Sequence, residues 1–183
     1  MLSKQSLEKF SKSHQTSIDN VIREYYQHLF LSYLYQTHGA EKVLFKGGTA
    51  LRLLLQSPRF SEDLDFTGMG ISVKDVEDLF TTTLTQIEKT GIDVEILEAK
   101  ETSGGYLGIA NFNTYDMRVN IHIEVSLRSE KTPKGVRTMI VSDYLPAYTL
   151  VHLSIEEIIR GKLEALFARG KPRDFYDYWF LLS

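Results

Sequence analysis

The segment 118–127 constrains the fold of this chain more than any other part of the sequence. Its apolar residues alternate with polar ones, at Val119, Ile121, Ile123, Val125 and Leu127. Successive side chains of a β-strand point to opposite faces of the sheet, so this period of two predicts a strand with one core face and one polar face. The polar face carries Asn120, His122, Glu124 and Ser126. Such a strand requires a sheet around it.

The rest of the sequence predicts further strands and several helices. Extended segments are predicted at 42–46, 64–67, 93–98, 106–112 and 138–141. Helical spacing of apolar residues predicts helices at 17–35, 49–55, 72–87 and 154–168, and a final helix from Pro172 that carries Phe175, Tyr178, Trp179 and Leu182. Because several strands are consecutive, these elements indicate an α+β fold with a mixed sheet flanked by N-terminal and C-terminal helices.

The chain has the size and composition of one domain. Its 183 residues, of which 43% are hydrophobic, can bury a core, and no linker-like stretch divides them. We therefore expect a single domain over residues 1–183. It would comprise an N-terminal helical segment at about 1–38, a catalytic core at about 42–145 and C-terminal helices at about 154–183.

Composition and charge exclude several classes of function. The absence of cysteine excludes disulfides, thiolate zinc sites and cysteine nucleophiles. Because no long apolar run and no signal-peptide pattern occurs, we expect a cytoplasmic protein with no membrane partner. A net charge of −3 means that a polyanion would have to bind a local basic patch. Two stretches offer one: Arg118, Arg128, Lys131, Lys134 and Arg137, and Arg160, Lys162, Arg169, Lys171 and Arg173.

Residues 45–66 carry the most informative chemistry. Gly47 and Gly48 connect a predicted strand to a helix, and such a turn offers open backbone N–H groups and a favourable dipole for phosphate. The hydroxyl of Thr49 could donate one more hydrogen bond. Asp63 and Asp65, two positions apart on a strand, would project from one face and could share a divalent cation.

Each of these features alone is also compatible with a simple chain turn or a solvated sheet edge, but their combination favours a phosphate and metal site. Glu124 is a third candidate ligand, and the alternative is a solvated glutamate. Three carboxylates could bind two Mg²⁺ or Mn²⁺ ions, one activating an attacking hydroxyl and the other holding a triphosphate.

The segments 46–51, with the sequence KGGTAL, and 59–66, with the sequence RFSEDLDF, resemble the signature of the AbiEii/AbiGii toxin family. This family is a branch of the polymerase-beta-like nucleotidyltransferase superfamily that includes the MenT toxins. The resemblance extends to residues 162–165, which are similar to a Lys-x-x-Ala segment, and to residues 173–177, which are similar to an Arg-Asp-x-x-Asp segment.

This resemblance implies a function and a set of site residues. It implies a toxin that transfers an NMP from an NTP to RNA, for instance a tRNA 3′ end, and that is restrained by a separate antitoxin. The residues implied in binding the nucleotide are Gly47, Gly48, Thr49 and Lys162, and those implied in metal binding and catalysis are Asp63, Asp65, Lys162 and Asp174. Transfer to a protein or a small molecule, and a non-catalytic nucleotide-binding module, stay open as alternatives.

Overall fold

The computed structural model describes residues 2–115, 117–128 and 135–182. The helices in this part of the chain are α1 (Lys4–Ser13), α2 (Ile18–Leu34), α3 (Gly47–Leu55), α4 (Val73–Glu88), α5 (Ile155–Arg169) and α6 (Pro172–Leu182), with a short 3₁₀ helix at Ala40–Lys42. The strands are β1 (Val43–Lys46), β2 (Asp63–Met69), β3 (Asp93–Thr102), β4 (Gly105–Thr114), β5 (Met117–Arg128), β6 (Val136–Ile140) and β7 (Tyr148–His152).

All these strands join one seven-stranded sheet in the order β3-β4-β5-β2-β1-β7-β6. The pairs β2–β5 and β1–β7 are parallel, and the other neighbours are antiparallel. The prediction of a mixed sheet flanked by N-terminal and C-terminal helices is therefore confirmed. Among the described residues, no helix has the length and apolar character needed to cross a membrane.

Serine side chains define where four of the helices begin. Ser3, Ser17, Ser72 and Ser154 each accept a hydrogen bond from the backbone N–H three residues later, at the starts of α1, α2, α4 and α5. Such a bond satisfies one of the free N–H groups of a first helical turn and stabilises the helix by about 1 kcal/mol. The polar residues between the apolar segments therefore determine the helix boundaries.

Helices α2 and α4 cover one face of the sheet and form the core with it. Phe30 of α2 contacts Phe80 of α4, with ring centroids 5.6 Å apart, and Phe80 contacts Phe66 of β2 at 5.9 Å. Phe66 in turn lies opposite Phe45 of β1 in the strand register. Because alternate residues point to opposite faces, these buried phenylalanines direct Lys46 and Asp65 to the other face.

Strand β7 was not predicted from the sequence. It lies inside the sheet, between β1 and β6, and its last three residues, Leu150, Val151 and His152, are all buried. In a strand that is covered on both faces, both sets of alternate side chains are buried, so apolar and polar residues do not alternate along it. The period of two that identifies β5 is therefore missing from β7.

The final helix, α6, begins at Pro172 as predicted, but the way it is oriented is unexpected. It buries the two acids Asp174 and Asp177 and exposes the apolar side chains of Phe175, Trp179 and Leu182. The ordinary distribution of polar and apolar residues is thus reversed on this helix. The buried acids need partners, and these lie in the candidate site.

Candidate active site

Strand β2 places two carboxylates on one face of the sheet. Leu64 and Phe66 are fully buried in the core, whereas Asp63 and Asp65 are half-buried on the opposite face. This is the consequence of the two-residue period of an extended chain. The prediction that both acids share a face is therefore confirmed.

The neighbouring strands surround Asp65 with charged residues. In the strand register, Asp65 lies opposite Lys46 of β1 and opposite Glu124 of β5, while Asp63 lies opposite His122 of β5. Residues in register on adjacent strands project from the same face of a sheet. One lysine and three acids are thus brought together from three strands, of which β5 is far from β1 and β2 in the sequence.

The surroundings of Asp65 shift the pKa of its carboxyl. Burial raises the pKa of the Asp65 carboxyl above its usual value, and the negative charges of Asp63 and Glu124 raise it further, against the opposing effect of Lys46 and Lys162. Desolvation also lowers the pKa of the Lys46 ammonium group. A cation near the carboxylates would therefore stabilise the ionised form of Asp65.

The chemistry of this site fits Mg²⁺ or Mn²⁺. Across the described residues, no group of three or more His, Asp or Glu side chains is placed to hold a metal ion together, so Asp63, Asp65 and Glu124 do not form a complete protein cage. Mg²⁺ does not require one, because it usually binds one or two carboxylates together with substrate phosphates and water. The oxygen donors of Asp63 and Asp65 suit that mode of binding.

The two glycines lie in the first turn of α3, not in a separate turn before it. Gly47 has a φ of 88°, and a Cβ at this residue would overlap the carboxylate of Asp65. A Cβ on Gly48 would lie 2.6 Å from Arg59 Nη2 and 2.7 Å from Ser61 Oγ. The absence of side chains therefore lets the start of α3 approach β2 and the segment before it.

The side chain of Thr49 makes a contact that the sequence did not predict. The residue is fully buried, and its hydroxyl donates a hydrogen bond of 2.6 Å to the backbone carbonyl oxygen of Asp63. The proton of this hydroxyl thus has an acceptor within the protein, and contact of the hydroxyl with a phosphate stays a prediction. The bond fixes the start of β2 against α3.

A cavity of about 310 Å³ lies between the open face of the sheet and α5. Asp65 and Gly47 form part of its wall. Five cationic side chains also line it: Lys46 from β1, Arg128 from β5, and Arg160, Lys162 and Arg169 from α5. Of the expected residues, the structure thus brings Lys162 to the same cavity as Asp65.

Asp177 holds Lys162 in place. Its buried carboxylate accepts a hydrogen bond from Lys162 Nζ at 2.8 Å and two from the guanidinium of Arg59, at 2.7 and 2.8 Å. Burial tends to raise the pKa of the Asp177 carboxyl, but the bonds from Arg59 and Lys162 outweigh burial and lower it. Sequence analysis did not single out Asp177, although it lies three residues after Asp174 in the same segment.

Asp174 is not among the residues that line the cavity, and its part in completing the site stays a prediction. It is fully buried, and both its oxygens accept hydrogen bonds of 2.9 Å from the guanidinium of Arg169. It also accepts a bond of 3.3 Å from the backbone N–H of Lys171 before α6. Asp174 therefore joins α5 to α6 and orients Arg169, which does line the cavity.

The two basic stretches differ in their contribution to the site. Three members of the second stretch, Arg160, Lys162 and Arg169, line the cavity, whereas Arg128 is the member of the first stretch that does so. Lys131 and Lys134 lie outside the described residues. The expectation of a local basic patch is therefore supported mainly by α5.

A family model described as the nucleotidyl transferase AbiEii toxin of type IV toxin–antitoxin systems matches residues 29–183. The matched range contains the acids of β2, both glycines, and the segment that carries Lys162, Asp174 and Asp177. A comparison with curated proteins found no match.

Two solved structures from Helicobacter pylori are similar to this chain. One is JHP933, which is 26% identical, with a TM-score of 0.64 over 90% of this chain and 66% of that one. The other is a proposed nucleotidyltransferase, which is 25% identical, with a TM-score of 0.60 over 98% of this chain and 69% of that one. The present chain thus spans about two thirds of the length of each.

Proposed function

The chain belongs to the AbiEii family of nucleotidyl transferase toxins of type IV toxin–antitoxin systems, and we propose that it transfers an NMP from an NTP to RNA in a metal-dependent reaction that releases pyrophosphate. One observation carries the proposal: Asp65 lies in the wall of a cavity that five cationic side chains also line. A carboxylate beside a cluster of cations is the combination that a metal-bound triphosphate requires.

The cavity suits the triphosphate in size, and its five cations outnumber the three acids that line it, Asp65, Glu157 and Glu164. Its volume of about 310 Å³ lies at the lower end of the range for small-molecule sites. Two of its arginines have carboxylate partners, since Arg160 binds Glu157 and Arg169 binds Asp174, and Lys162 shares Asp177 with Arg59. The buried acids Asp177 and Asp174 hold Lys162 and Arg169 in place, and cations held in this way neutralise phosphate charge without reorganising during the reaction.

Asp63 and Asp65 would hold Mg²⁺ or Mn²⁺, which would neutralise phosphate charge and orient the reacting groups. Their orientation comes from the fold, because Thr49 binds the Asp63 carbonyl and Gly47 leaves room for the Asp65 carboxylate. Glu124 lies beside them as an exposed acid and would act on the site through its charge.

The start of α3 would bind phosphate oxygens. The backbone N–H groups of Gly47, Gly48 and Thr49 belong to the first turn of that helix, where they have no acceptor within the helix and the helix dipole favours an anion. Lys162, held by Asp177, would bind the triphosphate from the opposite wall of the cavity. These contacts would hold the NTP with its α-phosphorus exposed to the acceptor.

In the transfer step, the acceptor hydroxyl oxygen forms a bond to the α-phosphorus while the bond from that phosphorus to the leaving pyrophosphate breaks. The hydroxyl proton passes to water, and the products are the NMP-modified acceptor and pyrophosphate. Little covalent chemistry is required of the protein, because holding both reactants in line supplies most of the rate acceleration.

The experiment is incubation of the protein with α-³²P-labelled NTPs, Mg²⁺ and total cellular RNA. Asp65→Asn removes the charge and keeps the shape of the side chain, and Asp78→Asn is the matched control, since Asp78 is exposed on α4. With the wild type and with Asp78→Asn we expect labelled RNA and the release of unlabelled pyrophosphate, which a coupled phosphate assay measures. With Asp65→Asn we expect neither.

Other outcomes identify the alternatives. Label in protein or in small molecules, with none in RNA, would show that the protein transfers NMP but that its acceptor is not RNA. NTP binding without release of pyrophosphate, whichever acceptor is supplied, would contradict nucleotidyltransferase activity. It would indicate a nucleotide-binding module.

The toxin family implies an antitoxin, and we propose that this protein acts in the cytoplasm as part of a defence against phage infection. Its induction in cells should arrest growth, and co-production of the cognate antitoxin should restore it. Growth arrest that persists in Asp65→Asn would show that toxicity does not depend on nucleotidyl transfer.

A further inference from the structure

The side chain of Lys46 does not pair with the acids nearest to it in the sheet. Lys46 lies opposite Asp65 in the strand register, and Glu124 lies opposite Asp65 from the other side. Among the described residues, however, no carboxylate lies within 4 Å of Lys46 Nζ. The ammonium group instead donates a hydrogen bond of 3.3 Å to Ser126 Oγ. Ser126 comes two residues after Glu124 on β5, so Lys46 extends along the sheet, away from the acids.

Two further hydrogen-bond donors lie on this side of Lys46. Thr67, opposite Ser126 in the register, is 1% exposed, and in the described part of the chain its hydroxyl has no hydrogen-bond partner. Arg128 follows Ser126 by two residues on the same face of β5. Lys46, Thr67 and Arg128 all line the cavity that contains Asp65. A buried hydroxyl without a partner opposes folding unless a ligand supplies the missing partner.

The two cations of this group lie close together. Burial is the main cause that lowers the pKa of the Lys46 ammonium group, and the charge of Arg128 lowers it as well. Like charges repel, and an anion between them replaces the repulsion by attraction. Two acids of α5 line the cavity, but Glu157 pairs with Arg160, and Glu164 pairs with neither cation. The described residues therefore place donors and positive charge here without an anion.

We propose that Lys46, Thr67 and Arg128 bind the terminal phosphate of the NTP. We call these three residues the terminal-phosphate subsite, in which Ser126 positions Lys46. The inference rests on the proposed function, which places the metal and the α-phosphorus at Asp65. Alternate residues of a strand are about 7 Å apart, and a triphosphate is long enough to cross that distance. The triphosphate would thus extend from Asp65 toward Thr67 and Arg128.

The subsite gives the bound nucleotide a direction and the protein a preference. The acids of β2 mark the end at which the α-phosphorus reacts, and the cations mark the end from which pyrophosphate leaves. A nucleoside diphosphate with its α-phosphorus at the same metal has no third phosphate for the subsite. The protein should therefore distinguish triphosphates from diphosphates by the bonds to the last phosphate.

The test measures binding without transfer. Analogues in which a methylene group replaces the oxygen between the α- and β-phosphates cannot release pyrophosphate. The triphosphate and the diphosphate of this kind are titrated with Mg²⁺ by calorimetry for each of the common bases. The wild type should bind the preferred triphosphate more tightly than the diphosphate of the same base.

Lys46→Gln and Arg128→Gln should each weaken triphosphate binding by about 10-fold to 100-fold, the effect of losing a hydrogen bond to a charged group. Diphosphate binding should weaken much less, so the two dissociation constants should approach each other. Lys74→Gln is the matched control, because it removes the same charge from an exposed position on α4, which covers the other face of the sheet. This variant should bind both analogues as the wild type does.

Thr67→Val separates ligand binding from a structural role. Valine keeps the shape of the side chain and removes the hydroxyl, which has no partner within the described residues. The free energy of unfolding in urea should therefore be no lower than that of the wild type. Triphosphate binding should nevertheless weaken by about 10-fold, because a bond to a charged phosphate is lost.

Three results would overturn the inference. The first is an equal loss of triphosphate and diphosphate affinity in Arg128→Gln, and the second is unchanged triphosphate binding in Thr67→Val. The third concerns RNA, whose phosphates have the same chemistry. If these substitutions weakened the binding of a 5′-fluorescein single-stranded RNA without nucleotide and left triphosphate binding unchanged, the occupant would be RNA. Absence of triphosphate binding by the wild type would equally reject the subsite.

The inference and the proposed function fail separately. Triphosphate binding that depends on Thr67 and Arg128, without transfer of NMP to any acceptor by the wild type, would keep the subsite and reject the transferase. RNA labelling by the wild type, with a KM for NTP that is unchanged in Thr67→Val and Arg128→Gln, would keep the transferase and reject the subsite.

Discussion

The carboxylate of Asp177 on α6 accepts a hydrogen bond from Lys162 Nζ on α5 at 2.8 Å. The same carboxylate binds Arg59, which lies just before β2, so one buried acid connects the cation of the cavity wall to the strand that carries Asp63. Two cations share this single acid. The group therefore has a net positive charge beside the cavity while its one anion stays hidden from solvent.

Replacing Asp177 with asparagine should destabilise the protein. The substitution leaves Arg59 and Lys162 largely buried without a carboxylate, and loss of one member of a buried ion pair costs about 3 kcal/mol. The free energy of unfolding, measured by urea denaturation, should fall by about this amount, and Asp78→Asn should leave it unchanged. If Asp177→Asn lowered the free energy of unfolding no more than Asp78→Asn does, then Asp177, Arg59 and Lys162 would not stabilise the fold as a group.

The contribution of Asp177 to stability should depend on pH in a defined direction. Its folded pKa lies below the ordinary value because the bonds from Arg59 and Lys162 outweigh burial. A carboxyl with a lowered pKa stabilises the fold above its unfolded pKa of about 3.9 and loses that effect as the pH falls through the folded value. The difference in unfolding free energy between wild type and Asp177→Asn should therefore be constant from about pH 5 to 7 and shrink below about pH 4. A difference that grows on acidification would contradict this assignment.

Asp65→Asn, unlike Asp177→Asn, should not destabilise the protein. The folded pKa of Asp65 is raised by burial and by its acidic neighbours, so its ionised form opposes folding at neutral pH. In the absence of ligands the melting temperature of Asp65→Asn should equal or exceed that of the wild type, although transfer is abolished. Mg²⁺ with NTP at about a hundred times its Kd should stabilise the wild type by about 2.7 kcal/mol. The same addition should have little effect on Asp65→Asn, and equal stabilisation of both proteins would argue against metal binding at this residue.

Gly47→Ala should abolish activity because a Cβ at this residue overlaps the Asp65 carboxylate. Gly39→Ala is the control for backbone strain alone. Gly39 has a similar φ of 93°, but an added Cβ there would have nothing within 4 Å. The strain of a left-handed alanine costs about 1 kcal/mol in both variants. Urea denaturation should show that loss in Gly39→Ala with transfer activity intact, and a larger loss without activity in Gly47→Ala. Full activity in Gly47→Ala would show that the start of α3 does not need to approach Asp65.

The acid pair of β2 could be located from the sequence because its placement depends only on local geometry. Leu64 and Phe66 face the core, so Asp63 and Asp65 must face the other way in any sheet that contains this strand. The alternation of β5 is of the same kind and was also confirmed. The family resemblance rests on short contiguous segments and agrees with the family match over residues 29–183.

The sequence does not show which acidic residue pairs with which basic residue. Asp174 and Asp177 are three residues apart in one helix, and nothing in that segment distinguishes the acid that binds Arg169 from the acid that binds Lys162 and Arg59. The answer depends on Arg59, which lies 118 residues away from Asp177 in the sequence. The same is true of Thr49, whose hydroxyl acceptor is set by how α3 packs on β2.

The sequence by itself therefore determined the class of fold, the family and the face of β2 that carries the acids, since backbone periodicity and contiguous motifs encode these features locally. Only the tertiary structure decided that β7 completes the sheet beside β1, that Asp177 holds Lys162, and that α6 exposes its aromatic side chains. These features depend on which segments, distant in the chain, become neighbours in space. The burial of a charge is decided by whether such a neighbour can neutralise it.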